Sequence, residues 1–291
     1  MKIDRFNIKL KQLLGKNMKK VIAKFLFPFR NKFILFNVSN RARTNQVNLN
    51  YWSESKNLGD LLSPVVVDYM LSLRNISSDK KVKKQRHFYA IGSILTAGQQ
   101  DAVVWGSGIL NASLTYRLEK RKLDIRAVRG PFTRAVLMDY GYNVPEVYGD
   151  PAILFPEIYS PKTVSKKYKY GIIFHKDYNL PSLTIDDDYT IINICTDNYK
   201  SFINRIVSAE IIISSSLHGI ILAESYGVRA ILLKPQIDIL KYYDYYFSTG
   251  RVNIPVAENI EDALHILPPE LPDFFKLRQK LKAAFPYDIY N

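Results

Sequence analysis

From residue 46 onward, short apolar or β-branched runs alternate with segments of helical periodicity, which restricts the chain to βαβ units around parallel sheets. In the first half, strands are expected at Val47–Trp52, Phe88–Ile91, Val103–Trp105, Ile125–Val128 and Glu146–Tyr148, and helices at Leu61–Leu73 and Phe132–Tyr140. Pro131 enters the second of these helices at the favoured first-turn position and Gly141 stops it. Around Pro156–Lys169 the pattern lapses into Pro, Ser and Lys, the expected domain hinge. A second set follows, with strands at Tyr170–Phe174, Thr190–Ile194, Ile211–Ser214 and Ala230–Leu233, and helices at Tyr199–Ser208, Leu217–Tyr226 and within the last twenty residues. The expected architecture is α/β: two doubly wound, Rossmann-like domains, 45–160 and 161–291, facing a central cleft. A length of 291 residues suits such a division.

The charge is concentrated elsewhere. Of the formal +14, residues 1–44 supply a surplus of eleven, twelve Lys or Arg against Asp4 alone. There Ile3, Phe6, Leu10, Leu13, Leu14, Met18, Val21, Ile22 and Phe25 recur at spacings of three and four, interleaved with lysines, as in a basic amphipathic helix ending near Pro28. Such a helix suits an anionic bilayer surface, where each basic residue near the headgroups contributes roughly 1 kcal/mol. It equally suits packing on the protein body or on a second copy. The body carries only +3, which disfavours nucleic acid as a partner. The single cysteine, Cys195, rules out an intrachain disulfide framework. With neither a run of ~20 apolar residues nor a signal-peptide pattern, the expected location is cytoplasmic, peripheral at the inner face of the plasma membrane.

In both halves, the polar and glycine residues of interest fall where an expected strand ends and a helix begins. Asn57-Leu58-Gly59-Asp60 precedes the first helix, Gly106-Ser107-Gly108 follows Trp105, and Arg129-Gly130 and Gly149-Asp150-Pro151 each end a strand. In the second half His175 follows Phe174, and Ser214-Ser215-Ser216-Leu217-His218-Gly219 joins an apolar strand to a helix. Backbone N–H groups at a helix start, hydroxyl caps and an imidazole suit a phosphate or carboxylate. The same residues suit a capped helix whose histidine is merely hydrogen-bonded. Arg129 suits a bidentate pair with an anion, or an interdomain ion pair. Asp60 and Asp150 are helix caps by default. Asp186-Asp187-Asp188 precedes a strand and reads as a solvated turn, and the four histidines, His87, His175, His218 and His265, lack metal-site pairing. No metal is expected.

Taken together, these motifs resemble the polysaccharide pyruvyl transferase family from about Tyr51 to Pro255. The resemblance extends through Val128-Arg129-Gly130-Pro131, Gly171-Ile172-Ile173-Phe174-His175, Glu224, Tyr226-Gly227 and Asp244-Tyr245-Tyr246 before Gly250-Arg251. It implies a glycosyltransferase B-like fold and a metal-independent enzyme, without cofactor, that moves pyruvyl from its co-substrate phosphoenolpyruvate onto a sugar as a cyclic ketal. Some relatives carry arginine where this chain has Ser216, and relatives often read Pro-His-Tyr in place of Phe174-His175-Lys176. Anion binding is therefore expected to be shared with Lys176, Lys234 or Arg251.

The roles that follow from the resemblance are these. His218 contacts the phosphate and donates the proton, and Ser214, Ser215, Ser216 and Leu217 form the cradle with backbone N–H groups. Arg129 holds the carboxylate or phosphate from the other domain, and Asp60 is the base or orienting carboxylate. Asn57, Gly59, Gly106, Ser107, Gly108, Asp150 and His175 line the substrates. The expected acceptor is a polyprenyl-diphosphate-linked oligosaccharide of a capsule or exopolysaccharide, with galactose ketalised across its 4- and 6-hydroxyls. Two rival readings fit the same architecture: a nucleotide-sugar glycosyltransferase and a non-catalytic, membrane-peripheral glycan-binding protein.

Overall fold

A computed structural model of the chain describes residues 46–291 apart from 54, 99, 111, 120, 163–164 and 180–186. The basic segment 1–44 and Asp186 lie outside the described residues; Asp187 and Asp188 form an exposed turn before a strand. The strands are β1 (Val47–Asn50), β2 (Arg86–Tyr89), β3 (Ala102–Trp105), β4 (Leu123–Ala127), β5 (Tyr168–Ile173), β6 (Tyr189–Ile191), β7 (Ala209–Ser214), β8 (Arg229–Leu233) and β9 (Val256–Ala257). The helices are α1 (Leu58–Ser72), α2 (Pro131–Asp139), α3 (Phe155–Ile158), α4 (Tyr199–Val207), α5 (Leu217–Ser225), α6 (Leu240–Ser248), α7 (Ile260–His265) and α8 (Phe274–Ala283).

β1 to β4 form one parallel sheet in chain order, extended by a single bridge from Val128 to Tyr148 where a full strand was expected. The second sheet, also parallel, runs β6-β5-β7-β8-β9. Its order reverses between β5 and β7, and α/β sheets open a ligand crevice beyond the carboxyl ends of the strands at such a reversal. The first sheet has no reversal, so the doubly wound order expected of both halves belongs to the second alone. All four residues of β3 are buried, as in a strand covered on both faces.

One continuous apolar core joins residues of both sheets, from Leu62 and Val66 of α1 and Trp105 of β3 to Ile212 of β7 and Ile220 of α5. Helices α1, α3 and α5 and the 3₁₀ turn Pro151–Leu154 pack on one another within it. The chain's end returns to the first sheet. Trp105 Nε1 donates to the Leu281 carbonyl at 2.8 Å, and Phe285 meets Phe88 and Trp105 edge-on, with centroids 5.8 and 4.9 Å apart. No helix of the described residues is long and apolar enough to cross a membrane.

α6 is a helix that periodicity did not predict, and a buried ion pair fixes it to the first sheet. Arg129, beyond β4, is 1% exposed; its Nε donates to Asp244 Oδ2 at 3.0 Å. Asp244 also accepts from the Thr133 amide at 3.0 Å and the Thr133 hydroxyl at 2.6 Å, while the other two guanidinium nitrogens donate to Ser93 Oγ and the Ile109 carbonyl. Gly130 is required here because an added Cβ would lie 1.9 Å from the Asp244 carbonyl oxygen. Removing one partner of such a pair strands the other charge, at a cost of about 3–5 kcal/mol. Arg129→Met should therefore lose stability of that order in denaturant unfolding; a loss below about 1 kcal/mol would show that the pair does not hold the fold.

Candidate active site

The residues singled out in the sequence lie at the carboxyl ends of the strands, where α1 and α5 begin. At the β7–α5 turn the serine hydroxyls serve the backbone. Ser214 Oγ accepts from the Ser216 amide at 3.0 Å and lies 3.0 Å from the Ile173 carbonyl, and Ser215 Oγ accepts from the His175 amide at 2.9 Å. Ser216 is the N-cap of α5 but makes no side-chain cap bond, and Leu217 is buried. Ser214 and Ser215 thus shape the turn that sets His218 in the first turn of α5.

His218 reaches across to the first sheet's half of the chain. Its ring lies against Gly59 in the first turn of α1, where any Cβ would sit 1.9 Å from Nδ1, so the glycine is a condition of the approach. Its Nε2 is 3.5 Å from Asp150 Oδ2, within ion-pair reach, and has no hydrogen-bond partner among the described residues. Asp150 is 1% exposed and has two duties: Oδ1 caps the following 3₁₀ turn by accepting from the Ala152 amide at 3.0 Å, and Oδ2 faces the imidazole. Gly106, at φ +86°, lets the end of β3 pass against Pro151 beside it.

Asp60 follows in the same turn of α1 and accepts from Asn57 Nδ2 at 2.6 Å. Burial raises its carboxyl above the ordinary range, opposed by the charge of His218, the Asn57 bond, Lys241 and Lys176. α1 begins three residues before the expected start, and the Leu58 amide donates to the Ile194 carbonyl beyond β6 at 2.9 Å, tying the turn to the second sheet. Ser107 Oγ and the Gly108 amide both donate to the Gly92 carbonyl, at 2.7 and 3.0 Å, and Gly92 borders Asp60. Gly108 also lies against the Arg129 guanidinium.

The cations around these carboxylates differ in their freedom. Burial, then Lys241, lowers His175 to about 4, so its imidazole is neutral near pH 7. Lys176 Nζ is 3.8 Å from Asp177 and 5.7 Å from the Trp52 ring centroid. Lys241, in the first turn of α6, is 7% exposed; burial, then Arg129, lowers it to about 8. Sequence reading missed Lys241 together with its helix. The signal was Tyr242, Tyr245 and Tyr246 at helical spacing.

Lys234 and Arg251 do not join the cluster. Lys234 Nζ is 2.6 Å from Glu258, and Arg251 forks onto the buried Glu224 at 2.6 and 2.8 Å. Arg129, expected as a ligand for the donor, has all three nitrogens engaged within the protein: Nε braces α6 through Asp244, and the other two bond Ser93 Oγ and the Ile109 carbonyl. Among the described residues no group of three His, Cys, Asp or Glu could hold a metal ion. A separate cleft of about 1000 Å³ opens at the amino ends of β2, β3 and β4, where Lys84, Arg86 and Lys122 mix with Asp101, Asp124 and Asp288.

The arrangement unites an imidazole, two carboxylates and a buried ammonium, a set able to hold an anion and to move protons at a neighbouring carbon or hydroxyl. The chain is 28% identical over 219 residues to an uncharacterized protein of Acanthamoeba polyphaga mimivirus, covering 70% of this chain and 75% of that one. It is 26% identical over 231 residues to the succinoglycan biosynthesis protein ExoV of Rhizobium meliloti (strain 1021), covering 72% and 69%. A crystal structure of an uncharacterized protein from Klebsiella pneumoniae subsp. pneumoniae NTUH-K2044 superposes with a TM-score of 0.49 at 14% identity, over 81% of this chain and 98% of that one. The sequence profile of the polysaccharide pyruvyl transferases matches residues 3–236. With most of its length in that match, and its strand-end residues gathered around His218, the chain belongs to the polysaccharide pyruvyl transferase family.

Proposed function

We propose that this protein transfers pyruvyl from phosphoenolpyruvate to two hydroxyls of one sugar in a bacterial surface polysaccharide, forming a cyclic ketal and releasing phosphate. The observation that carries the reading is the meeting of His218 with Asp150 and Asp60 at strand ends from two sheets. Family membership supplies the reaction class.

The chemistry divides among these residues. His218 delivers a proton to C3 of the donor, which turns C2 into an electrophile, and Asp150 orients the imidazole and stabilises its charged form. A sugar hydroxyl attacks C2 and gives its proton to Asp60, whose raised proton affinity suits a base. The C2–O bond to phosphate breaks, phosphate leaves, and the second hydroxyl closes the ring as its own proton departs. Atoms balance: one acceptor proton is matched by the new methyl hydrogen and the other by the hydrogen of the released phosphate. His175, neutral, contacts donor or acceptor beside Lys176, and Asn57 fixes Asp60.

The similarity to a succinoglycan biosynthesis protein favours an exopolysaccharide or capsular acceptor. Galactose ketalised at positions 4 and 6 on a polyprenyl-diphosphate-linked repeat unit is our assignment, with residues 1–28 holding the enzyme to the anionic inner face of the plasma membrane. The basic apolar pattern of that segment supports it.

Incubation with phosphoenolpyruvate and a panel of galactosides and other lipid-linked or synthetic glycosides should yield a product heavier than its acceptor by pyruvic acid less one water. Transfer from nucleotide sugars, with none from phosphoenolpyruvate, would refute the assignment. A positioned acid contributes ~10²–10⁴ in rate, so His218→Ala should lower kcat at least about a hundredfold with its thermal transition preserved. Near-normal turnover in that variant would remove His218 from the chemistry.

A further inference from the structure

Lys241 is a buried cation that no carboxylate among the described residues pairs with directly. It is 7% exposed, yet among the described residues its ammonium makes neither an ion pair nor a hydrogen bond; it lies over the neighbouring Tyr242 ring, 5.1 Å from the centroid. A lysine is rarely buried unpaired, because desolvating its charge is costly without a partner. Its backbone is also not free to move away. Asp244, three residues on, is clamped by Arg129 and Thr133, and the hydroxyl of Tyr242 donates to the Ser215 carbonyl at 2.5 Å. These bonds hold the first turn of α6 against the β7–α5 turn.

The charged groups that act on Lys241 are Arg129 and Lys176, which repel it, and Asp60 and Asp177, which attract it. Asp60 also feels the charge of His218 in the first turn of α5, whose Nε2 makes no hydrogen bond among the described residues and faces Asp150 at 3.5 Å. Ser216, at the cap of α5, brings no charge to that turn. Lys241 also lies beyond residues 3–236, the stretch that the family profile matches.

Building on the reaction proposed above, we infer that Lys241 binds the phosphoryl group of the donor, its ammonium completing with the first turn of α5 a site for a phosphate dianion. A lysine serves phosphate as a point charge, with no need for bidentate geometry. The missing counter-ion is then the substrate itself, and the unfavourable burial persists because binding relieves it. Proton affinity lowered to about 8 leaves the ammonium mostly charged at neutral pH, in keeping with this role.

Lys241→Met keeps an unbranched side chain, one atom shorter, and removes the charge. Its thermal transition without ligand should match or exceed that of the native protein, since a buried charge with no direct partner is removed. Isothermal titration should show phosphoenolpyruvate and inorganic phosphate binding at least about tenfold more weakly to the variant, and pyruvate, which lacks the phosphoryl group, binding both proteins alike. Equal affinity of the two proteins for both phosphate-bearing ligands, or a variant that loses several degrees without ligand, would overturn the assignment. Phosphate binding that depends on Lys241 in a protein that transfers no pyruvyl would leave the anion site standing and overturn the reaction. Pyruvyl transfer with donor affinity indifferent to Lys241 would do the reverse.

Discussion

The buried pair between Arg129 and Asp244 is the constraint on which the rest of the site depends. It joins the end of β4 to a helix 115 residues further along the chain, and both partners are almost completely removed from water. Such pairs add little net stability over well-packed apolar residues, but breaking one is severe, so their effect is to specify an arrangement. Here the specified feature is the position of α6. Once Asp244 is fixed, Tyr242 can reach the Ser215 carbonyl and Lys241 is held among the groups at the strand ends. Gly130 and Gly108 make room for the two ends of the pair.

The site is assembled against the electrostatic preferences of its members. Burial raises Asp60, lowers Lys241 to about 8 and lowers His175 to about 4, each away from its charged form. Groups perturbed in this way, gathered at the carboxyl ends of parallel strands, are characteristic of functional sites. Rigid surroundings sustain the arrangement. The His218 ring rests on Gly59, and the carboxylate facing it is fixed by its own cap bond to the Ala152 amide.

Much of this was legible from local pattern. The alternation of apolar runs with helical segments locates the strands of both sheets except the two-residue β9, and the turn chemistry at Gly106 and at Ser214–His218 marks where they end. What the sequence concealed depends on contacts distant along the chain. Arg129 fits an anion ligand and an ion pair equally until Asp244 is seen beside it, and Arg251 and Lys234 read as anion ligands until Glu224 and Glu258 take their charges. The second duty of Asp150 is hidden for the same reason, since a helix cap is recognisable locally and a facing imidazole 68 residues later is not. α6 was missed because Lys-Tyr-Tyr-Asp-Tyr-Tyr-Phe is rich in residues that favour strands, and Lys241 was missed with it.

Where the donor sits decides the roles of His218 and Lys241, and a crystal structure of the protein with phosphoenolpyruvate and no acceptor would show it directly. The phosphoryl group should lie between Lys241 and the first turn of α5, with C3 of the donor facing the His218 imidazole. Phosphoenolpyruvate bound instead in the cleft at the amino ends of β2, β3 and β4, among Lys84, Arg86 and Lys122, would contradict that placement.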